Sequence, residues 1–134
     1  MNIIGNGVDI IENKRIKNSL KIKGFVDRIF TKSEVKKSEK LKNKVNYFAK
    51  RYAAKEAFVK AIGIGFRNNI NFKDIDISND KKGKPFIKLS MNIKKYLKKR
   101  FNQSNYKIFL SLSDEKEHSI AYVIIDKIKW QKNL

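Results

Sequence analysis

The sequence predicts an α+β chain, with a mainly antiparallel sheet of about five short strands around one long central helix and several short helices. Three observations carry this expectation. Apolar residues recur at 47, 48, 54, 58, 61 and 62, the spacing of a helix that buries one side. Two pairs of β-rich runs in the second half are each joined by a short polar turn, as in hairpins. The order of elements is strand, helices, two strands, helix, two strands, which lacks the strand–helix alternation of a parallel sheet. A length of 134 residues suits one domain spanning 1–134 and leaves little for a second core.

Each element has its own signal. Ile3 to Ile11 is apolar and β-branched with Gly5 and Gly7 inside it, which suits a buried strand interrupted by Asp9. Glu12 to Leu20 reads as a short helix and Phe25 to Phe30 as another turn of helix. Thr31 with Glu34 three residues on forms a capping box that opens a third. The long helix runs from Asn46 to Ile62 and stops at Gly63 and Gly65. Phe72 to Ile77 alternates as a strand, residues 79–83 turn, and Phe86 to Leu89 returns. Met91 to Phe101 places Ile93, Tyr96, Leu97 and Phe101 on one side and lysines on the other, a surface helix. Lys107 to Ser113 and Ser119 to Asp126 form the last hairpin.

Composition narrows the function classes. There are no cysteines, so disulfides and thiolate metal sites are excluded. Apolar runs such as Ala121 to Ile125 fall far short of the roughly 20 residues a membrane helix needs, and no basic stretch precedes an apolar one at the N-terminus. A soluble cytoplasmic protein is expected. The net charge of +19 suggests a polyanionic partner. Yet Lys, Asn and Ile account for 60 residues, and all three are favoured by A/T-rich codons, so coding bias explains part of the excess. The partner could be a nucleic acid or an acidic protein.

Three groups could carry chemistry. Glu56 and Lys60 share a helix side with Ala49 and Ala53; the pair reads either as an ordinary i,i+4 ion pair or as a metal-ligating carboxylate with a phosphate-binding lysine one turn on. Gly63 and Gly65 are either a helix stop or a close approach to phosphate oxygens. Asp9, inside an apolar strand, either caps the next helix or ligates a hard cation. Together with Glu56 it would suit Mg²⁺. His118, the only histidine, lies in a charged turn and reads as exposed. Lys14, Arg15, Lys17, Lys21, Lys23 and Arg28 make either a solvated basic surface or a dock for an acidic partner, with Phe25 as its apolar contact. No GxxxxGK[ST] loop is present.

Taken together these pieces resemble the holo-acyl-carrier-protein synthases, the short trimeric class of 4′-phosphopantetheinyl transferases, over nearly the whole chain. The resemblance rests on Gly5-x-Gly7-Val8-Asp9-Ile10 and on Arg28-Ile29-Phe30-Thr31-x-x-Glu34. Its most specific stretch is Phe48-Ala49-x-Arg51-Tyr52-Ala53-Ala54-Lys55-Glu56-Ala57-Phe58-x-Lys60-Ala61-x-Gly63-x-Gly65. Phe72-x-Asp74-Ile75, Gly83-Lys84-Pro85, Leu110-Ser111-Leu112-Ser113 and Ala121-Tyr122-Val123 extend it.

The resemblance implies transfer of 4′-phosphopantetheine from coenzyme A to a serine of apo acyl carrier protein, for fatty-acid biosynthesis. Adenosine 3′,5′-bisphosphate is the other product. It implies Asp9 and Glu56 as ligands of Mg²⁺, with Mn²⁺ as an alternative metal. Asp9, Glu56 and Lys60 would be catalytic, with Glu56 the candidate acceptor of the serine proton. Lys60, Gly63, Gly65, Lys84 and Pro85 would hold coenzyme A. Arg15, Lys21, Lys23, Phe25 and Arg28 would meet the acidic carrier. A homotrimer would bring Asp9 and Glu56 of one chain beside Gly83-Lys84-Pro85 of a neighbour. One position departs from the pattern: Asp114 stands where the family commonly has His, close to coenzyme A, and an aspartate there repels phosphate unless a lysine compensates. Lys116 is the candidate to do so. The alternative function is a small basic, ribosome-associated nucleic-acid-binding module. Only five Arg among 32 basic residues, and a carboxylate in an apolar strand, argue against it.

Overall fold

The computed structural model describes residues 2–66, 69–102 and 105–128. The chain opens with strand β1 (Ile3–Glu12) and three short helices, α1 (Asn13–Ser19), α2 (Phe25–Ile29) and α3 (Lys32–Ser38). The long helix α4 spans Lys44–Ile62. After it come β2 (Ile75–Asn79), β3 (Pro85–Leu89), α5 (Met91–Phe101), β4 (Tyr106–Asp114) and β5 (His118–Lys127). All pairings are antiparallel, but the strands divide into two sheets where the sequence suggested one: a three-stranded sheet ordered β1-β5-β4 and the β2-β3 hairpin.

The start of β2 also differs from expectation. Phe72–Asp74 forms a turn of 3₁₀ helix, not the first half of a strand. The Asp74 carboxylate accepts from the Asn71 N–H at 2.8 Å, the Ser90 hydroxyl at 2.7 Å and the Asn92 amide at 3.1 Å. Such local capping draws a polar residue into a turn even where its neighbours alternate. The Thr31/Glu34 capping box forms as read.

Helix α4 lies across the inner side of the three-stranded sheet, which supplies Ile11, Leu110, Ala121, Val123 and Ile125 to the core. It approaches β1 more closely than side chains ordinarily permit. A Cβ built on Gly5 would sit 1.8 Å from the Ala61 carbonyl oxygen, and one on Gly7 would sit 2.0 Å from that of Ala57. Both glycines are therefore required by contact rather than by backbone angle. The Gly-x-Gly strand and the Ala-rich helix fit as a complementary pair, and the next residue on the same side of β1 is Asp9. At its far end α4 stops on Gly63, whose φ of 80° any side chain would strain. Among the described residues no helix is long and apolar enough to cross a membrane.

Among the described residues nothing covers the opposite side of the three-stranded sheet. Val8, Ile10, Ile120, Tyr122 and Phe109 stand on it, with Val8 opposite Tyr122 and Ile10 opposite Ile120. These are large apolar side chains in adjacent register, on a surface whose alternate residues fill the core.

Candidate active site

Flush packing of β1 on α4 brings Asp9 to the C-terminal half of the helix. The Lys60 ammonium donates to Asp9 Oδ1 at 3.1 Å and to the Val8 carbonyl at 3.0 Å. Lys60 thus reaches across to β1 instead of pairing with Glu56 one turn back. Its side chain is 53% exposed and that of Asp9 17%. Glu56 shares the site: burial, then the Asp9 charge, push its carboxyl above the usual carboxylate range, against opposing help from Tyr52, Lys60 and Arg15. Tyr52 is in turn raised, first by its own burial and then by Glu56. The structure therefore gathers Asp9, Glu56 and Lys60, and adds Tyr52 and Arg15 to them.

Two carboxylates that repel each other, beside one lysine and open to solvent on one side, form the kind of oxygen donor set that takes a hard divalent cation. Among the described residues no third His, Cys, Asp or Glu joins a metal-binding group. Two carboxylates with the remaining positions left to water and phosphate is the usual arrangement for Mg²⁺.

The other expected residues lie elsewhere. Gly63 and Gly65 follow α4, and the Gly63 N–H closes the helix end on the Lys60 and Val59 carbonyls. Lys84 and Pro85 belong to the β2-β3 hairpin, and no hydrogen bond or ion pair among the described residues links them to Asp9, Glu56 or Lys60. Arg15, Lys21, Lys23 and Arg28 are exposed, as a docking surface needs. Phe25 corrects the reading of that patch: it is 9% exposed, edge-on to Phe30 and stacked on Tyr52. The left-handed Gly24 turns the chain inward just before it. Ile22 is the exposed apolar residue between Lys21 and Lys23. His118 sits in its turn against Glu115 at 3.1 Å. The compensation for Asp114 comes from Lys50, at 3.3 Å, and from Asn46, whose amide donates at 2.8 Å; Lys116 is not its partner.

A second cationic feature escaped the sequence. A cleft of about 740 Å³ is lined by Lys36, Lys37, Lys40, Lys50 and Arg51, with Asn79, Gly83 and Pro85 also on its wall. The Arg51 guanidinium stacks 3.6 Å from the centre of the Tyr47 ring and donates to Asn79 at 2.9 Å, while its buried Nε has no partner. No carboxylate is bonded to Arg51 among the described residues, although the Glu34 and Asp76 charges act on it, and a guanidinium so placed can take a further anion. Arg51 falls inside the motif stretch, but only its burial distinguishes it from a surface arginine.

Known proteins resemble this chain along nearly its whole length. Residues 5–123 match the model of the 4′-phosphopantetheinyl transferase superfamily. The holo-[acyl-carrier-protein] synthase of Pelagibacter ubique is 55% identical over 127 residues, which cover 95% of this chain and 99% of the relative. The crystal structure of the Neisseria meningitidis holo-[acyl-carrier-protein] synthase superposes with a TM-score of 0.83 at 38% identity, covering 93% and 99% of the two chains. That of the Bacillus anthracis synthase, in complex with CoA (3′,5′-ADP), superposes with a TM-score of 0.79 at 34% identity and covers 96% and 100%.

Proposed function

We infer the reaction from the family: this chain belongs to the 4′-phosphopantetheinyl transferase superfamily and, within it, to the holo-acyl-carrier-protein synthases. We propose that it moves 4′-phosphopantetheine from coenzyme A to a serine hydroxyl of apo acyl carrier protein and releases adenosine 3′,5′-bisphosphate. The observation that carries this reading is the meeting of Asp9, Glu56 and Lys60 across the β1–α4 contact.

In this reading the serine oxygen attacks the β-phosphorus of the coenzyme A diphosphate. A bond to serine forms, and the bond to the bisphosphate breaks. Asp9 and Glu56 would hold Mg²⁺, which neutralises charge on the diphosphate when bound. Lys60, anchored on Asp9 and the Val8 carbonyl, presents its ammonium to the departing phosphate. Glu56 is the carboxylate of the site that would accept the serine proton. The nucleophile arrives on the partner, so the enzyme needs none of its own.

Coenzyme A also carries a phosphate monoester, and the Arg51 cleft suits it. Arg51 and Lys60 are nine residues apart, half a turn out of phase and roughly 14 Å along the helix, so they serve opposite sides of α4. One coenzyme A spans both sites if the cleft belongs to a neighbouring protomer. The uncovered apolar side of the β1-β5-β4 sheet supports such an assembly, a trimer in which Lys84 and Pro85 approach the next chain's Asp9. Arg15, Lys21, Lys23 and Arg28 would receive the acidic carrier.

The test is an intact-mass assay with apo carrier, coenzyme A and Mg²⁺. We expect the carrier to gain one phosphopantetheine, and EDTA to stop it. No gain on a competent carrier overturns the reaction; a gain untouched by EDTA overturns the role of the metal.

A further inference from the structure

The Arg51 cleft contains a contradiction in charge. Lys36, Lys37 and Lys40 have no carboxylate ion pair among the described residues, and neither does Arg51. Lys50 alone of these wall cations is paired, with Asp114 at 3.3 Å. The pair is built into the fold. Asn46 and Lys50 are one turn apart on α4, and both grip the same carboxylate, Asn46 on Oδ2 and Lys50 on Oδ1. Asp114 ends β4, and the following turn is tied to α1 through the Asn13 amide, which donates to the Glu115 carbonyl at 2.9 Å. The carboxylate is therefore fixed against Lys50, a cation of the cleft's wall, while the Glu34 and Asp76 charges that act on Arg51 lie outside that wall.

We propose that Asp114 and Lys50 form a charge-neutral couple that holds down the affinity of the Arg51 cleft for a phosphate monoester, and that Asp114 is thereby a residue setting how tightly the nucleotide is kept. The proposal rests on the reading above, in which the cleft receives the monoester end of coenzyme A. With the couple intact, attraction comes from Arg51 and the three unpaired lysines, while Lys50 and Asp114 cancel. This has a kinetic consequence. The monoester is common to coenzyme A, to the transition state and to the released bisphosphate. An interaction made equally with all three lowers KM without raising kcat, and slows departure of the product. A carboxylate at the cleft's edge weakens binding of both substrate and product, and so favours release.

The experiment is calorimetric titration with adenosine 3′,5′-bisphosphate of the full chain and of three variants, Asp114→Asn, Lys50→Met and the double variant. Removing the negative charge should tighten binding about 3–10-fold, and removing the positive one should weaken it by a similar factor. The double variant should return to within about twofold of the wild type, because it is again neutral at the couple. Dephospho-coenzyme A, which lacks the monoester, should bind all four proteins alike. In turnover, Asp114→Asn should lower KM for coenzyme A with no gain in kcat and with stronger inhibition by the bisphosphate. Weaker or unchanged binding by Asp114→Asn overturns the couple, as does an equal shift for dephospho-coenzyme A. Should that single variant fail to fold, comparing Lys50→Met with the double variant reads the same charge. A wild type that modifies carrier while all four proteins bind the bisphosphate alike sinks this inference alone. A wild type that never modifies carrier sinks the reaction instead.

Discussion

Two of the lysine–carboxylate pairs on helix α4, with lysines five residues apart, are built in opposite ways. Lys55 and Glu34 meet at 2.8 Å with both side chains 0% exposed. Every group of that pair is used. Lys55 also donates to the Phe72 and Ile75 carbonyls, and Glu34 accepts from the Thr31 and Ile77 N–H groups. Lys60 and Asp9 meet at 3.1 Å with the lysine half exposed, and Asp9 also presses on a second carboxylate, Glu56. The first pair ties α3, α4 and β2 together. The second is underused and electrostatically uneasy, which is what a site for a cation and a phosphate requires. Burial, not the identity of the residues, separates the two pairs.

The sharpest way to break this comparison is to remove one lysine at a time. Lys55→Met leaves Glu34 charged, buried and unpaired, and should cost about 3–5 kcal/mol in a urea unfolding titration. Burial already pushes the Lys55 ammonium below its ordinary value, with Glu34 opposing, so the pair survives only as a unit. Lys60→Met should cost less than about 1 kcal/mol, as exposed pairs do, yet reduce transfer. Equal stability losses in the two variants would dissolve the distinction.

The next effect concerns Glu56. Glu56→Gln should lower transfer by about 10²–10³-fold, the scale of losing one preorganised charge contact. Its stability should move the other way. A carboxyl whose folded-state pKa is raised stabilises the fold when protonated, and that contribution is lost as pH rises through the folded value. At neutral pH the ionised Glu56 therefore burdens the fold, and Glu56→Gln should melt roughly 1–3 °C higher. The gap in melting temperature should close as pH falls below the ordinary carboxylate value of 4.5. A variant that is both inactive and less stable at neutral pH would mean Glu56 holds structure rather than function.

Much of this was legible in the sequence, and the remainder was hidden for identifiable reasons. The spacing of α4, the Thr31/Glu34 capping box and the Gly-x-Gly strand are local signals, and each forms the element it announces. Asp9 could be singled out because a carboxylate inside an apolar strand is costly. The meaning of Gly5 and Gly7 needed coordinates, since only the contact with the Ala57 and Ala61 carbonyls shows why a side chain is forbidden. The same holds for Lys55, which looks like any helical lysine until Glu34 arrives from another helix. Phe25 misled because a phenylalanine among basic residues resembles a surface anchor, whereas here it braces the Tyr52 ring. The late start of β2 turns on a 3₁₀ turn held by Asp74, Asn71 and Ser90, a local alternative that alternation does not reveal.

The smallest expected effect probes where the docking surface meets the site. Arg15 is exposed on α1, yet its charge reaches both Glu56 and Tyr52. Lys21 is equally exposed, but its charge is not among those acting on Glu56. Arg15→Glu and Lys21→Glu should each raise KM for the carrier by about 3–10-fold and leave KM for coenzyme A nearly unchanged, with the difference shrinking at high salt. The two variants should part in their pH profiles. Arg15 holds the Glu56 carboxyl down, so exchanging it for a negative charge pushes that carboxyl further up. The acid limb of kcat should then move to higher pH in Arg15→Glu and stay in place in Lys21→Glu. Identical profiles would reduce Arg15 to one more docking charge. A shift in both would mean that the whole basic surface, not one residue of it, sets the ionisation of the site.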